Sequence, residues 1–350
     1  MFKRSLVNGF SIRLPETGMR SEVRGIYEPM HFVLRLSDEV HRVLASAPDG
    51  VSLVEGANFD LVQAFSTYLH ETIHWWQHIG SFAGFVSSLS YPAIAHLNHA
   101  RLKRLLDSIG PKKSIVGFAE CNIATFAKSI QDDINVVINN HFDITFYNKV
   151  VSEPRKLQNI SRSKYFESVG HSYAITYQAV LSLLSVFDGE FSFLPDPRSW
   201  EQELTELRAR KVEGFYYQSP ITIPPLGMYS IFEGQARLSQ IQFLYFGSGR
   251  RMTWDDFLNL DMLGGIYVDA FKKYLEICGL QWPKTPGDSV VSMFLLICDL
   301  AINPAEGFPL NLTGMEYLLI DADPGIRFYS LCSELRSRLQ LAHSISDHSR

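Results

Sequence analysis

A chain of 350 residues, 46% of them hydrophobic, has enough length and apolar content to bury a substantial core. Its net charge of -5, with no basic run longer than the solvated-looking Arg101-Leu102-Lys103-Arg104, argues against a nucleic-acid-binding surface. No stretch of about 18 apolar residues occurs, so no membrane span is expected, and Met1 to Leu14 lacks an apolar run of signal-peptide length. The four cysteines, Cys121, Cys278, Cys298 and Cys332, show no CxxC pairing. They read as reduced thiols of a cytoplasmic protein, with signal-less export left open, and not as a thiolate zinc site.

In chain order, the part from about Ser11 to Leu53 carries short alternating or β-branched stretches. His31-Phe32-Val33-Leu34-Arg35-Leu36 and Val51-Ser52-Leu53-Val54 are examples, and two to four strands are expected there. From Asp60 onward the pattern is helical, over 60–79, 92–109, 114–138, 164–187, 199–211, 226–246, 254–278, 287–302 and 324–343. The mixed polar and aromatic stretch from Ile138 to Asn159 reads as loop with a short strand. Gln218 to Pro225 reads as an extended edge segment, and the residues after His343 as a disordered tail. This predicts an α+β chain, mainly α, with a small N-terminal β-sheet. It is organised as a single unit: 1–56 β-rich, 57–80 one helix, 81–222 a large helical insertion, 223–343 further helices and 344–350 a tail.

The chemistry concentrates in His70-Glu71-Thr72-Ile73-His74. Positions i and i+4 of a helix lie one turn apart on one face, so two imidazoles can address one metal ion. Glu71, at the edge of that face, can reach a water on the metal; zinc lowers the pKa of such a water to about 7 and a carboxylate can take its proton. Asn58 or Asp60 can start this helix and Gly80 stop it, with no Pro or Gly between Leu61 and Ile79. The helix is apolar nearly all round, which predicts burial. Buried His and Glu need partners, and a metal supplies them. His78 extends the same face, but three His on consecutive turns span about 12 Å and cannot converge on one ion. It is expected either to line the site or to be a plain helix-end His favoured by the helix dipole, with Gln77, Trp75 and Trp76 packing and hydrogen-bonding around the site.

The motif resembles that of the zincin metallopeptidases, where HExxH supplies two ligands and the general base. The resemblance implies that His70 and His74 bind one zinc ion and that Glu71 activates a zinc-bound water to hydrolyse a peptide bond. The longer pattern with a third His is absent, since Gln77 and Gly80 stand at its positions. A catalytic zinc needs a third protein ligand, and Glu233 in Ile231-Phe232-Glu233-Gly234-Gln235-Ala236-Arg237 resembles the second metal helix of the Glu-ligand zincins (gluzincins). Gly234 and Ala236 would let this helix approach the first. The competing arrangement is an i,i+4 pair of Glu233 with Arg237 on a solvated face, in which case Glu120, Glu167 or His171 supplies the ligand. Tyr229, His171, Tyr173 and Tyr177 are candidate donors to a developing oxyanion, and Asp299 a candidate carboxylate for orienting a ligand His. The implied partner is a protein or peptide substrate. Two other functions fit the same residues: a non-catalytic binding or regulatory module on a zincin-like scaffold, and a zinc amidohydrolase acting on a non-peptide substrate.

Overall fold

A computed structural model describes residues 25–29, 32–47, 58–122, 125–194, 196–209, 223–304 and 318–348. The described chain is mainly helical, with one two-stranded antiparallel sheet. β1 (Gly25–Glu28) pairs with β2 (Val33–Leu36) in the register Gly25↔Leu36 and Glu28↔Val33. The expected strand signal does not continue. Asp38–Ala45 is a helix, α1, because Ser37 accepts the Val40 N–H as N-cap, Asp38 and Glu39 face the positive helix start, and Val40, Val43 and Leu44 fall on one face against Ala64. The strand expected at Val51 to Val54 lies outside the described residues.

The remaining helices are α2 (Phe59–Gly80), α3 (Phe82–Ile109), α4 (Ile115–Asn122), α5 (Lys128–Ser152), α6 (Leu157–Ile160), α7 (Val169–Leu184), α8 (Glu201–Ala209), α9 (Met228–Gly247), α10 (Trp254–Asn259), α11 (Ile266–Cys278), α12 (Ser289–Ile302), α13 (Leu318–Ala322) and α14 (Pro324–His348). α14 continues to His348, where the sequence pattern suggested a disordered tail. The expected helix 254–278 is interrupted at Leu260–Gly265, where Asp261 and Gly265 take φ of 57° and 55°. Residues 223–225, the described part of the expected edge segment, form no strand.

The chain divides into two compact units: Met1–Phe85 with Met228–Asn303 and Arg327–Arg350, and Val86–Gly227 with Pro304–Ile326. The second takes in most of the predicted insertion. Here α5 runs on to Ser152, through the stretch that read as loop. Two of its polar residues, Asn140 and Asn148, are interhelical links. Asn140 donates to Asn98 Oδ1 at 2.9 Å, Asn148 donates to Ser90 Oγ at 2.7 Å, and Ser87 donates to Asn148 Oδ1 at 2.8 Å. Buried amides paired in this way are compatible with a helix.

In the first unit, α9 packs on α2, α11 and α12. Val62 of α2 joins Ile241, Leu244 and Tyr245 of α9 and Phe257 of α10 in one apolar cluster. Asn58 caps α2 by accepting the Asp60 N–H at 3.0 Å. α2 is not buried all round: Phe59, Tyr68 and Trp76 are exposed, Trp76 at 59%, so its outer face stays apolar without being covered. Among the described residues no helix is long and apolar enough to cross a membrane.

Candidate metal centre

Helical spacing alone brings His70 and His74 together; tertiary packing of α9 against α2 adds Glu233. His70 Nε2 and His74 Nε2 are 3.2 Å apart, and Glu233 Oε2 lies 3.5 Å from the first and 3.4 Å from the second. A tetrahedral zinc with bonds of about 2.05 Å holds its ligand atoms about 3.3 Å apart. The three separations match that triangle. Two imidazole nitrogens and a carboxylate oxygen this close repel one another unless a proton or a metal cation lies among them, and in the metal-free protein a proton on His74 serves. Glu233 Oε2 is buried and makes no hydrogen bond of ordinary geometry. Two imidazoles and one carboxylate are a donor set suited to zinc. Among the described residues these three form the one group of His, Cys, Asp and Glu placed to hold a metal.

Gln77, one turn after His74, fixes the ring. Its Nε2 donates to the Phe232 carbonyl at 3.0 Å and to Gln235 Oε1 at 2.8 Å. A carbonyl only accepts, so the amide nitrogen must face Phe232 and the amide oxygen must face His74. His74 Nδ1 therefore carries a proton, which it donates to Gln77 Oε1 at 2.8 Å, and Nε2 is turned toward Glu233. This is the orienting bond expected of a ligand His, made by an amide and not by Asp299. Asp299 is exposed on α12, where its carboxylate accepts from Asn303 at 3.3 Å; an apolar run hides only the inner face of a helix, and position 299 falls on the outer one. His70 Nδ1 is buried with no hydrogen-bond partner.

The site is charged beneath its surface. Burial would lower the His74 pKa, but the Glu233 and Glu71 carboxylates outweigh it and leave it raised in the metal-free protein. Burial, with His74 and Arg237 close by, depresses His70. Glu233 is held well below the carboxylate range: burial would raise it, but the two imidazoles prevail. Glu71, 4% exposed, is pushed up to about 7, by burial first and by the Glu233 charge; His74, Arg237 and the Tyr27 backbone N–H oppose the shift. β1 lies directly on this carboxylate, since a Cβ at Gly25 would come within 2.6 Å of Glu71 Cγ and Oε1.

Arg237 is 1% exposed, which excludes a solvated Glu233–Arg237 pair. Its guanidinium donates to Gln240 Oε1 at 2.7 Å and lies 4.1 Å from the centre of the Tyr267 ring, whose hydroxyl also hydrogen-bonds it. Gln240 donates to Ser66 Oγ at 3.2 Å, linking the guanidinium back to α2. The Tyr267 ring, on α11, is 6.0 Å from that of His70. Neither Arg237 nor Tyr267 was legible as a site residue. An Arg in an apolar helix was a signal for the first; the Gly264-Gly265 pair ahead of Tyr267 was a weak one.

Gly234 does not serve the approach to α2. A Cβ there would meet Ala270 of α11 and Phe294 of α12 at 3.3 Å, so the missing side chain admits those helices on the other face of α9. His78 is not among the metal-facing atoms. Its ring packs on Tyr27 and Phe232, 5.2 and 5.3 Å between centres, and hydrogen-bonds the Gly84 backbone. Tyr229 is half-buried one turn before Glu233. The other candidates belong to the second unit. His171 Nε2 is 3.3 Å from Asp143 Oδ2, Glu120 pairs with Lys164 at 3.1 Å, and Glu167 is exposed. Tyr173 donates to Asp323 at 2.6 Å, and Tyr177 hydrogen-bonds Tyr147. The chain matches no protein-family model, no curated protein and no solved structure.

Proposed function

We propose that this chain is a zinc-dependent metallopeptidase in which His70, His74 and Glu233 hold the ion and Glu71 is the general base. The observation that carries the reading is the triangle of 3.2, 3.4 and 3.5 Å between three donor atoms, with a second carboxylate, the buried Glu71, next to His70 in sequence. Zinc bound there supplies Lewis acidity, polarising a carbonyl and acidifying water. Glu71 takes the proton of the attacking water and passes it to the departing amide nitrogen. In the metal-free protein burial raises this carboxyl, which favours its taking up a proton. The Tyr27 N–H fixes the Glu71 carboxylate from the β1 side. Tyr267 brings a phenol to the His70 side, Arg237 steadies it, and it is assigned the donor to the developing oxyanion.

One observation favours a second reading, a binding or regulatory module with a structural metal: β1 covers the Glu71 carboxylate. The deciding experiment is elemental analysis of protein purified without added metal, together with cleavage of a proteome-derived peptide library read by mass spectrometry. The expected result is one zinc per wild-type chain, lost in Glu233→Ala, and retained in Glu71→Gln with cleavage abolished. Absence of zinc from reconstituted wild type, or undiminished cleavage by Glu71→Gln, overturns the reading.

A further inference from the structure

The end of α11 away from Tyr267 holds two thiols that the metal centre does not use. Cys278 is the last residue of α11 and Cys332 lies within α14; both belong to the first unit. Cys278 Sγ donates to the Cys332 carbonyl at 3.4 Å, and the two thiols are close enough for each to shift the other's pKa. α11 stops there because Gly279 takes φ 69°, a left-handed cap. A helix C-terminus disfavours a thiolate, and so does burial, but the Cys332 thiol first and the Arg336 guanidinium second hold the Cys278 pKa down; Arg336 Nη1 donates to the Ile277 carbonyl at 3.4 Å, which sets an exposed cation beside Cys278. The other two cysteines differ. Cys298 is as buried as Cys332, both 0% exposed, and its thiol is pushed well above the ordinary value by burial, while Cys121 is exposed in the second unit; Cys278 is 6% exposed.

We propose that Cys278 and Cys332 form a redox-active dithiol, oxidised by a small disulfide such as glutathione disulfide to an internal disulfide that ties α14 to α11. The Cys278 thiolate attacks one sulfur of the small disulfide, forming a mixed disulfide and releasing one thiol. Cys332 then attacks the Cys278 sulfur and releases the second. Two electrons pass to the small disulfide, and the two cysteine protons end on the two released thiols. The nucleophile is Cys278 because it is the less buried of the pair, 6% exposed against 0% for Cys332, and has the Arg336 cation beside it. The inference does not rest on the metallopeptidase reading.

The test is incubation of the folded full-length protein with glutathione disulfide, quenching with N-ethylmaleimide, and intact-mass and peptide analysis. The expected result is that the peptides of Cys278 and Cys332 are joined, two hydrogen atoms lighter than the two reduced peptides together, and that neither carries maleimide. Cys332→Ala should stop at one glutathionyl adduct on Cys278, Cys278→Ser should form no internal disulfide, and Cys298→Ala should oxidise like wild type. Circular dichroism of each variant identifies any that fails to fold. Unreacted Cys278 and Cys332 in folded wild type, or a disulfide that instead uses Cys298, overturns the proposal.

Discussion

Gln77→Ala tests how the proposed metal centre is held. The wild-type amide, 4% exposed, makes three hydrogen bonds: from His74 Nδ1, and to the Phe232 carbonyl and Gln235 Oε1. At about 1 kcal/mol net for each, their loss should lower the stability of the metal-free protein by about 3 kcal/mol, since buried partners are left unmet. Freed from Gln77, the His74 ring can rotate or change tautomer. Loss of such an orienting bond typically costs about 10- to 100-fold in metal affinity, or about 1.4 to 2.7 kcal/mol. Gln77→Glu separates the two effects. A carboxylate still accepts from His74 Nδ1 but faces the Phe232 and Gln235 oxygens with no proton to offer. It should lose stability as the alanine variant does and keep more of the zinc affinity. Urea unfolding reads the first quantity and competition with a chromophoric chelator the second. Wild-type zinc affinity in Gln77→Ala would refute the argument that this amide sets the ligand tautomer.

Three further outcomes follow from the geometry. Gly25→Ala places a Cβ 2.6 Å from Glu71 Cγ and should displace the carboxylate while the helical ligands keep their zinc; turnover should fall about 10²-fold, and unchanged or raised turnover with full zinc content would show that β1 does not position Glu71. In the metal-free protein His74 is raised, so its proton must leave before Nε2 can take a metal; zinc affinity should weaken by up to about tenfold per pH unit as pH falls below that raised pKa. His70, depressed to about 4, adds no second proton in the neutral range, and affinity independent of pH there would contradict the assignment. Tyr173→Phe removes the donor to Asp323 Oδ2, 1% exposed and buried with it, and should cost about 1 to 3 kcal/mol in urea unfolding; no change would mean that Asp323 finds another partner.

Local rules made parts of this structure legible. The i,i+4 spacing places His70 and His74 on one face, Asn58 starts their helix, and a two-residue period marks the β1–β2 hairpin. The misreadings arose where a polar residue meets a partner distant in sequence. Asn140 and Asn148 look like loop until Asn98, Ser87 and Ser90 are opposite them, and Arg237 looks solvated until Tyr267 covers it. Asp299 shows the converse: an apolar neighbourhood in sequence says nothing about which face of the helix a carboxylate occupies.

The sequence by itself determined the helix that presents two imidazoles and a carboxylate, because helical periodicity is a property of neighbouring residues. Only the tertiary structure decided that Glu233 closes the triangle, that Gln77 sets the His74 tautomer, and that Arg237, Tyr267 and the β1 backbone surround the site. Each of those contacts joins residues from different elements, and their meeting depends on how α2, α9, α11 and β1 pack, which no local pattern encodes.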